Sequence, residues 1–248
     1  ALGTRVGGLI LFGYLGLFFI LRYLQLKTKS EVRLQVVRQG IGQLVMICAI
    51  AWITMLLFWP TAQRAPLAFP INALLNFAQY GTPDFTTTFF QGQQISITEV
   101  PRYYAPLWLL LALPEFLFLG LVAGSASLIL SKPGIELRWV LLGFSAAFPL
   151  LLIVVLGTPL YDGLRHFLFV LPPLAVLSAS GLYALIPRIR TTGVQKGLIG
   201  LTLLLLALTL WDMVRLHPNE YVYFNRLFAG GLQKASKQYA TDYWENSY

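Results

Sequence analysis

Six apolar runs, near Val6–Leu24, Gly40–Trp59, Pro106–Leu130, Trp139–Gly157, Phe167–Ile186 and Gly197–Val214, constrain this chain more than any other feature. Each is about as long as the roughly 20 helical residues needed to cross ~30 Å of hydrocarbon. Strands of a membrane barrel would alternate polar and apolar residues over short segments, and these runs do not. The predicted fold class is all-α, a polytopic membrane helix bundle of about six transmembrane helices over residues 1–214, with an outward-facing C-terminal segment over 215–248. Composition agrees, because 57% of the 248 residues are hydrophobic and only 11% are charged. A soluble domain of this length carries far more charge.

Lys and Arg near the ends of the runs set the expected orientation. The first connection carries Arg22, Lys27, Lys29, Arg33 and Arg38, the third Lys132 and Arg138, and the fifth Arg188, Arg190 and Lys196. These read as cytoplasmic. The long second connection, 60–105, holds only Arg64 and Arg102, and the fourth only Arg165, so both are expected outside with the two termini. Asp84, Glu99, Asp162, Glu220, Asp242 and Glu245 then also lie outside. The net charge of +8 is scattered between apolar runs rather than gathered in a stripe, so no nucleic acid partner is expected. Cys48 is the only cysteine, which excludes an intrachain disulfide. The chain opens on Ala1-Leu2-Gly3-Thr4-Arg5 without an initiator Met and ends on Trp244-Glu245-Asn246-Ser247-Tyr248, so it is expected to be part of a longer protein.

Within the outer loop, Pro70–Tyr80 predicts a short helix with Ile71, Leu74, Leu75 and Ala78 on one face and Gly81 as its stop. Such a helix either lies on the outer leaflet or packs on the spans. Phe85–Phe90 favours extended chain. Pro114-Glu115 interrupts the third run, and a carboxyl inside a span is a functional or a helix-pairing group. The segment His217–Arg226 reads as an interfacial aromatic belt, or as a strap over the outer entrance whose Asn225 and Arg226 meet a sugar or phosphate.

The stretch Tyr161-Asp162-Gly163-Leu164-Arg165-His166-Phe167 places an acid, a guanidinium and an imidazole within five residues at the mouth of the fifth run. In mid-bilayer these groups would be costly, but at the boundary they reach water or a phosphate. Guanidinium suits phosphate because its planar fork makes two charge-assisted bonds. With Arg102 and Tyr104 from Pro101-Arg102-Tyr103-Tyr104-Ala105-Pro106-Leu107-Trp108, the candidates for a lipid-phosphate site are Arg165, His166, Arg102 and Tyr104. Asp162, Tyr161 and Asn225 are candidates for groups near the substrate. The plainer alternatives are snorkelling of Arg165 with Asp162 as its partner, and an aromatic belt around Arg102. No P-loop, dinucleotide-binding glycine pattern, His-Glu-x-x-His or Gly-x-Ser-x-Gly occurs, and His166 and His217 lie far apart, so no metal ligand is assigned.

The segments Pro101–Trp108 and Tyr161–Pro173, together with His217-Pro218-Asn219-Glu220-Tyr221-Val222-Tyr223-Phe224-Asn225 and Thr241-Asp242-Tyr243-Trp244, resemble the C-terminal half of bacterial family-39-type GT-C membrane glycosyltransferases. That group includes protein O-mannosyltransferases and aminoarabinose transferases acting on lipid A. The resemblance runs from about Pro60 to Tyr248. It implies a polyprenyl-phosphate sugar donor and an inverting transfer at the periplasmic side of a bacterial inner membrane. The acceptor it implies is a protein, a lipid or a glycan, and the divalent cation often used in the family finds no assignable ligand here. Arg165 and His166 match the family's C-terminal motif, where they are expected to stabilise the lipid-phosphate leaving group. The family's acidic residue that activates the acceptor lies in a first outer loop, and no matching Asp-Glu segment occurs in this sequence. The catalytic carboxylate is therefore expected outside this chain. The rival expectations are a transporter or flippase for a lipid-linked or anionic substrate, and a non-catalytic subunit that binds the donor lipid.

Overall fold

The computed structural model describes residues 10–25, 30–78, 87–131 and 136–241, most of them helical. Four helical stretches are long and apolar enough to cross a membrane: Leu34–Leu57, Leu137–Leu156, Leu168–Arg188 and Thr192–Leu216. A fifth arises if the bent pair Tyr104–Ala112 and Glu115–Ile129 counts as one crossing. The run expected at Val6–Leu24 is described only from Ile10, and its apolar helix, Gly13–Tyr23, is short. The expectation of six crossings thus becomes four to five among the described residues. Val122, Val155, Leu156 and Leu203 are each more than half exposed on these helices, a pattern that suits lipid rather than water.

The chain divides into two compact units. The first comprises Ala1–Gly81 with Glu136–Leu141. Its helices α1 (Ile10–Gln25) and α2 (Ser30–Leu57) approach where a Cβ at Gly40 would stand 3.0 Å from the Phe19 ring. Pro60 opens α3 (Pro60–Gln63) in its first turn, where a missing N–H costs nothing. The Gln63 side chain donates to the Leu56 carbonyl at 2.9 Å, which also accepts from the Trp59 N–H at 3.3 Å, so the end of α2 is closed. α4 (Ala68–Ala78) begins slightly before the predicted Pro70. It is tied back by the Trp52 indole N–H on the Pro66 carbonyl, 3.1 Å, and by an edge-on Trp59–Phe69 contact. The expected stop at Gly81 lies outside the described residues.

The second unit comprises Thr82–Ile135 and Leu142–Tyr248. It opens with a hairpin of β1 (Thr87–Phe90) and β2 (Gln93–Ser96), so the fold is not purely helical. Gln91 and Gly92 turn it with φ of 52° and 80°, the positive pair that matches strand twist in a two-residue loop. β1 realises part of the extended chain expected at Phe85–Phe90, and Phe85 and Thr86 lie outside the described residues. The C-terminal segment pairs with its edge: Ala240 N–H donates to the Phe89 carbonyl at 2.8 Å, and Tyr239 bridges Phe90. Residues 215–241 therefore belong to this unit and are not a separate piece.

The hairpin leads into α5 (Tyr104–Ala112) and α6 (Glu115–Ser131), whose axes bend by 109°. Pro114 accounts for the break, since it has no N–H and pushes Leu113 to an extended ψ of 135°. The continuous third span expected over Pro106–Leu130 is corrected accordingly. After α7 (Leu137–Leu156) come α8 (Leu171–Leu185), α9 (Thr192–Leu216) and α10 (Leu232–Ala235). α6 lies on α8 through Gly120 and Gly124 facing Ser178 and Gly181, where an added Cβ at Gly120 or Gly181 would collide with the opposite backbone. Lipid offers little hydrophobic drive for helix pairing, so close backbone approach through small residues supplies it.

Candidate functional site

The loop between α7 and α8 begins with a helix stop. Gly157, at φ +62°, lets the Thr158 N–H turn back to the Ile153 carbonyl at 3.2 Å. Leu160, Phe167 and Val170 are buried and pin the ends of the loop in the core. Between them Asp162 and Gly163 adopt successive left-handed conformations, φ +55° and +65°. Only Gly suits position 163 well, because a Cβ there would also stand 3.2 Å from the Trp108 ring. The Gly163 N–H donates to the Tyr104 hydroxyl at 3.0 Å, which fastens the loop to α5.

A short 3-10 helix, Gly163–His166, then brings Arg165 back onto Asp162, with a guanidinium-to-carboxylate distance of 2.5 Å. The Arg165 guanidinium lies 5.4 Å from the centre of the Tyr161 ring, and His166 meets the same ring edge-on at 4.8 Å. The paired side chains are 21% and 23% exposed. Burial pushes the Asp162 carboxyl above the ordinary carboxylate range, and the Arg165 charge and hydrogen bond partly offset it. Arg102 approaches the same loop from the other side, its Nε 3.5 Å from where a Cβ of Gly157 would be.

The structure thus gathers Arg102, Tyr161, Asp162, Arg165 and His166 at one loop. The snorkelling alternative is met in part, since Arg165 does pair with Asp162. Tyr104 needs a correction: it is 1% exposed, its hydroxyl serves the Gly163 N–H, and its ring packs on Phe90 and Trp108. It positions the loop and does not reach a ligand.

Asn225 needs another. It is fully buried, and its side-chain amide donates to the Leu110 and Leu113 carbonyls at 2.6 and 2.9 Å. Its side-chain oxygen accepts from the Phe228 and Ala229 N–H groups at 2.9 and 3.3 Å. With every polar position engaged, Asn225 clasps the break between α5 and α6 and has nothing left for a sugar. Its neighbours follow suit. Glu115, the first residue of α6, accepts from the Arg226 and Leu227 N–H groups at 2.6 and 3.2 Å and from the Tyr223 hydroxyl at 3.2 Å. The Arg226 guanidinium pairs with Asp212 at 2.5 Å. Glu115 thus pairs with the C-terminal segment rather than with a neighbouring helix, and Val222–Asn225 is a buried strap rather than an interfacial belt.

Three positions escaped the sequence reading: Gly120 and Gly124, which carry the α6–α8 contact, and Gly163, which holds the loop. The spacing Gly120-Leu121-Val122-Ala123-Gly124 was the available signal for the first two. Among the described residues no group of three or more His, Cys, Asp or Glu side chains is placed to hold a metal ion. Comparison of the chain with models of known protein families, with curated proteins and with solved structures finds no match.

Proposed function

We propose that this chain is the donor-binding C-terminal portion of a membrane glycosyltransferase, which takes a sugar from a polyprenyl-phosphate carrier and passes it to an acceptor at the outer face. The observation that carries the proposal is the loop Tyr161–His166. Two successive left-handed residues, a glycine hemmed by Trp108 and a buried tyrosine hydroxyl hold Arg165 and His166 at the start of an apolar helix. Such conformational cost is concentrated where a side chain must be aimed. The resemblance of this segment to family-39-type transferases points the same way.

In this reading the apolar surface of the helices meets the prenyl chain, and the loop meets its phosphate. As the bond between sugar and phosphate breaks, negative charge grows on the leaving phosphate oxygen, and guanidinium N–H groups offset it. Asp162 takes one Arg165 N–H and so fixes the plane of the fork, acting as a positioning residue. Arg102 adds a second positive charge. The acceptor hydroxyl must lose its proton as it attacks, and no residue described here is assigned that task. Arg188, Arg190 and Lys196 sit at the opposite end of α8 from the loop, which supports an outward-facing loop by the positive-inside rule.

A transporter would use its broken helix to offer backbone carbonyls to a substrate or ion. Here the Leu110 and Leu113 carbonyls already accept from Asn225, so the break favours the transferase over the flippase. The test is to present a polyprenyl-phosphate sugar to the protein in proteoliposomes and follow the sugar and the leaflet of its carrier. Saturable binding of the carrier, with its sugar intact and its leaflet unchanged, supports the proposal. Carrier that changes leaflet with its sugar intact would overturn it.

A further inference from the structure

Between α6 and α9 runs an open groove of about 570 Å3. None of its lining residues belongs to the loop Tyr161–His166. Phe118 and Val122 of α6 and Leu205 and Leu208 of α9 form its apolar walls, while Glu115, Asp212 and Arg226 stand at one end. The apolar part runs from Glu115 to Val122 on one helix and from Asp212 back to Leu205 on the other, about 10 Å at 1.5 Å per residue. It is a slot two turns deep with a charged rim, on helices whose outer surfaces suit lipid. A hydrocarbon chain fits that shape, and a compact hydrophilic solute does not.

Chemistry at the rim selects the head. The lining residues there carry one guanidinium and two carboxylates, so a purely anionic head would face a surplus negative charge. Both Glu115 oxygens are held by the C-terminal strap. Arg226, whose side chain is 47% exposed, donates one guanidinium N–H to Asp212. Since a guanidinium has five N–H donors and a carboxylate about four acceptor sites, the pair can share a ligand that carries both signs. We infer that the groove holds one acyl chain of a zwitterionic, ammonium-headed phospholipid, with its phosphate on Arg226 and its ammonium on Asp212.

The test is native mass spectrometry of the purified full chain released from nanodiscs of equal phosphatidylethanolamine and phosphatidylglycerol. Phosphatidylethanolamine is expected to be retained several-fold over phosphatidylglycerol. Leu208→Trp, which fills the slot without touching the rim, should lower that retention several-fold, and Asp212→Asn should abolish the preference between heads. Equal retention of the two lipids, or undiminished retention by Leu208→Trp, would overturn the inference. So would a polyprenyl phosphate that displaces the phospholipid from the wild type but finds no site in Leu208→Trp. Because Arg165→Ala leaves this groove untouched, it should retain the phospholipid like the wild type, which separates this site from the phosphate loop.

Discussion

Gly163 meets two demands at once, a φ of +65° and a Trp108 ring close to the space where a Cβ would go. Gly163→Ala should therefore cost about 1–2 kcal/mol, the usual penalty for an L-residue in the left-handed region, read as a lower unfolding midpoint in detergent. The pair Asp162–Arg165 was legible from its spacing, as acid and base three residues apart meet in a single turn. The bond from Gly163 to Tyr104 was not legible, since nothing local ties residues 59 apart in sequence. At the surface, His217 and Glu220 sit 2.6 Å apart, and that hydrogen bond holds the Glu220 carboxyl below its ordinary value of 4.5. A depressed carboxylate lends stability above its unfolded pKa and loses it as pH falls through the folded value. The wild type should thus melt above Glu220→Gln near neutrality, and the gap should close as pH drops well below 4.5. Asp162 runs the other way. Its raised pKa favours the protonated form, so its contribution is present below 3.8 and lost as pH rises.

At the scale of elements, apolar periodicity marked α7, α8 and α9 to within a few residues, because lipid-facing helices must be apolar over their whole length. The third run misled for the same reason. α5 is as apolar as a span, yet Tyr104, Ala105, Trp108, Leu109 and Leu111 face protein, and hydropathy alone does not distinguish the two environments. Pro114 is the visible clue: it marks an interruption, though not the 109° corner that forms there. What repairs the corner came from the far end of the chain, where Asn225 satisfies carbonyls that the broken helix leaves bare and the Arg226 N–H donates to Glu115. The α6–α8 contact depends on missing side chains, so it is sensitive to any addition. Gly181→Leu should cost about 2 kcal/mol or more through overpacking, seen as unfolding at lower denaturant, whereas a leucine at Gly200, with open space around it, should change little.

For the whole molecule, membrane character was evident from composition, and the structure agrees through its long apolar helices. The division into two units was not evident, because it follows long-range packing: the hairpin and residues 215–241 join one unit although a long run of helices separates them. The candidate site was legible as a charged stretch at the mouth of a span, while the scaffold holding it came from α5 and the strap. Under the proposed function, Arg165 holds the phosphate of a prenyl carrier. This is tested most directly by the affinity of a polyprenyl monophosphate for the protein in nanodiscs, wild type against Arg165→Ala, with the unfolding midpoint measured alongside. A charge-assisted contact is worth about 1.5–3 kcal/mol, so affinity should be weaker by roughly 10-fold or more in a variant that still folds. Unchanged affinity in a folded Arg165→Ala protein would contradict it.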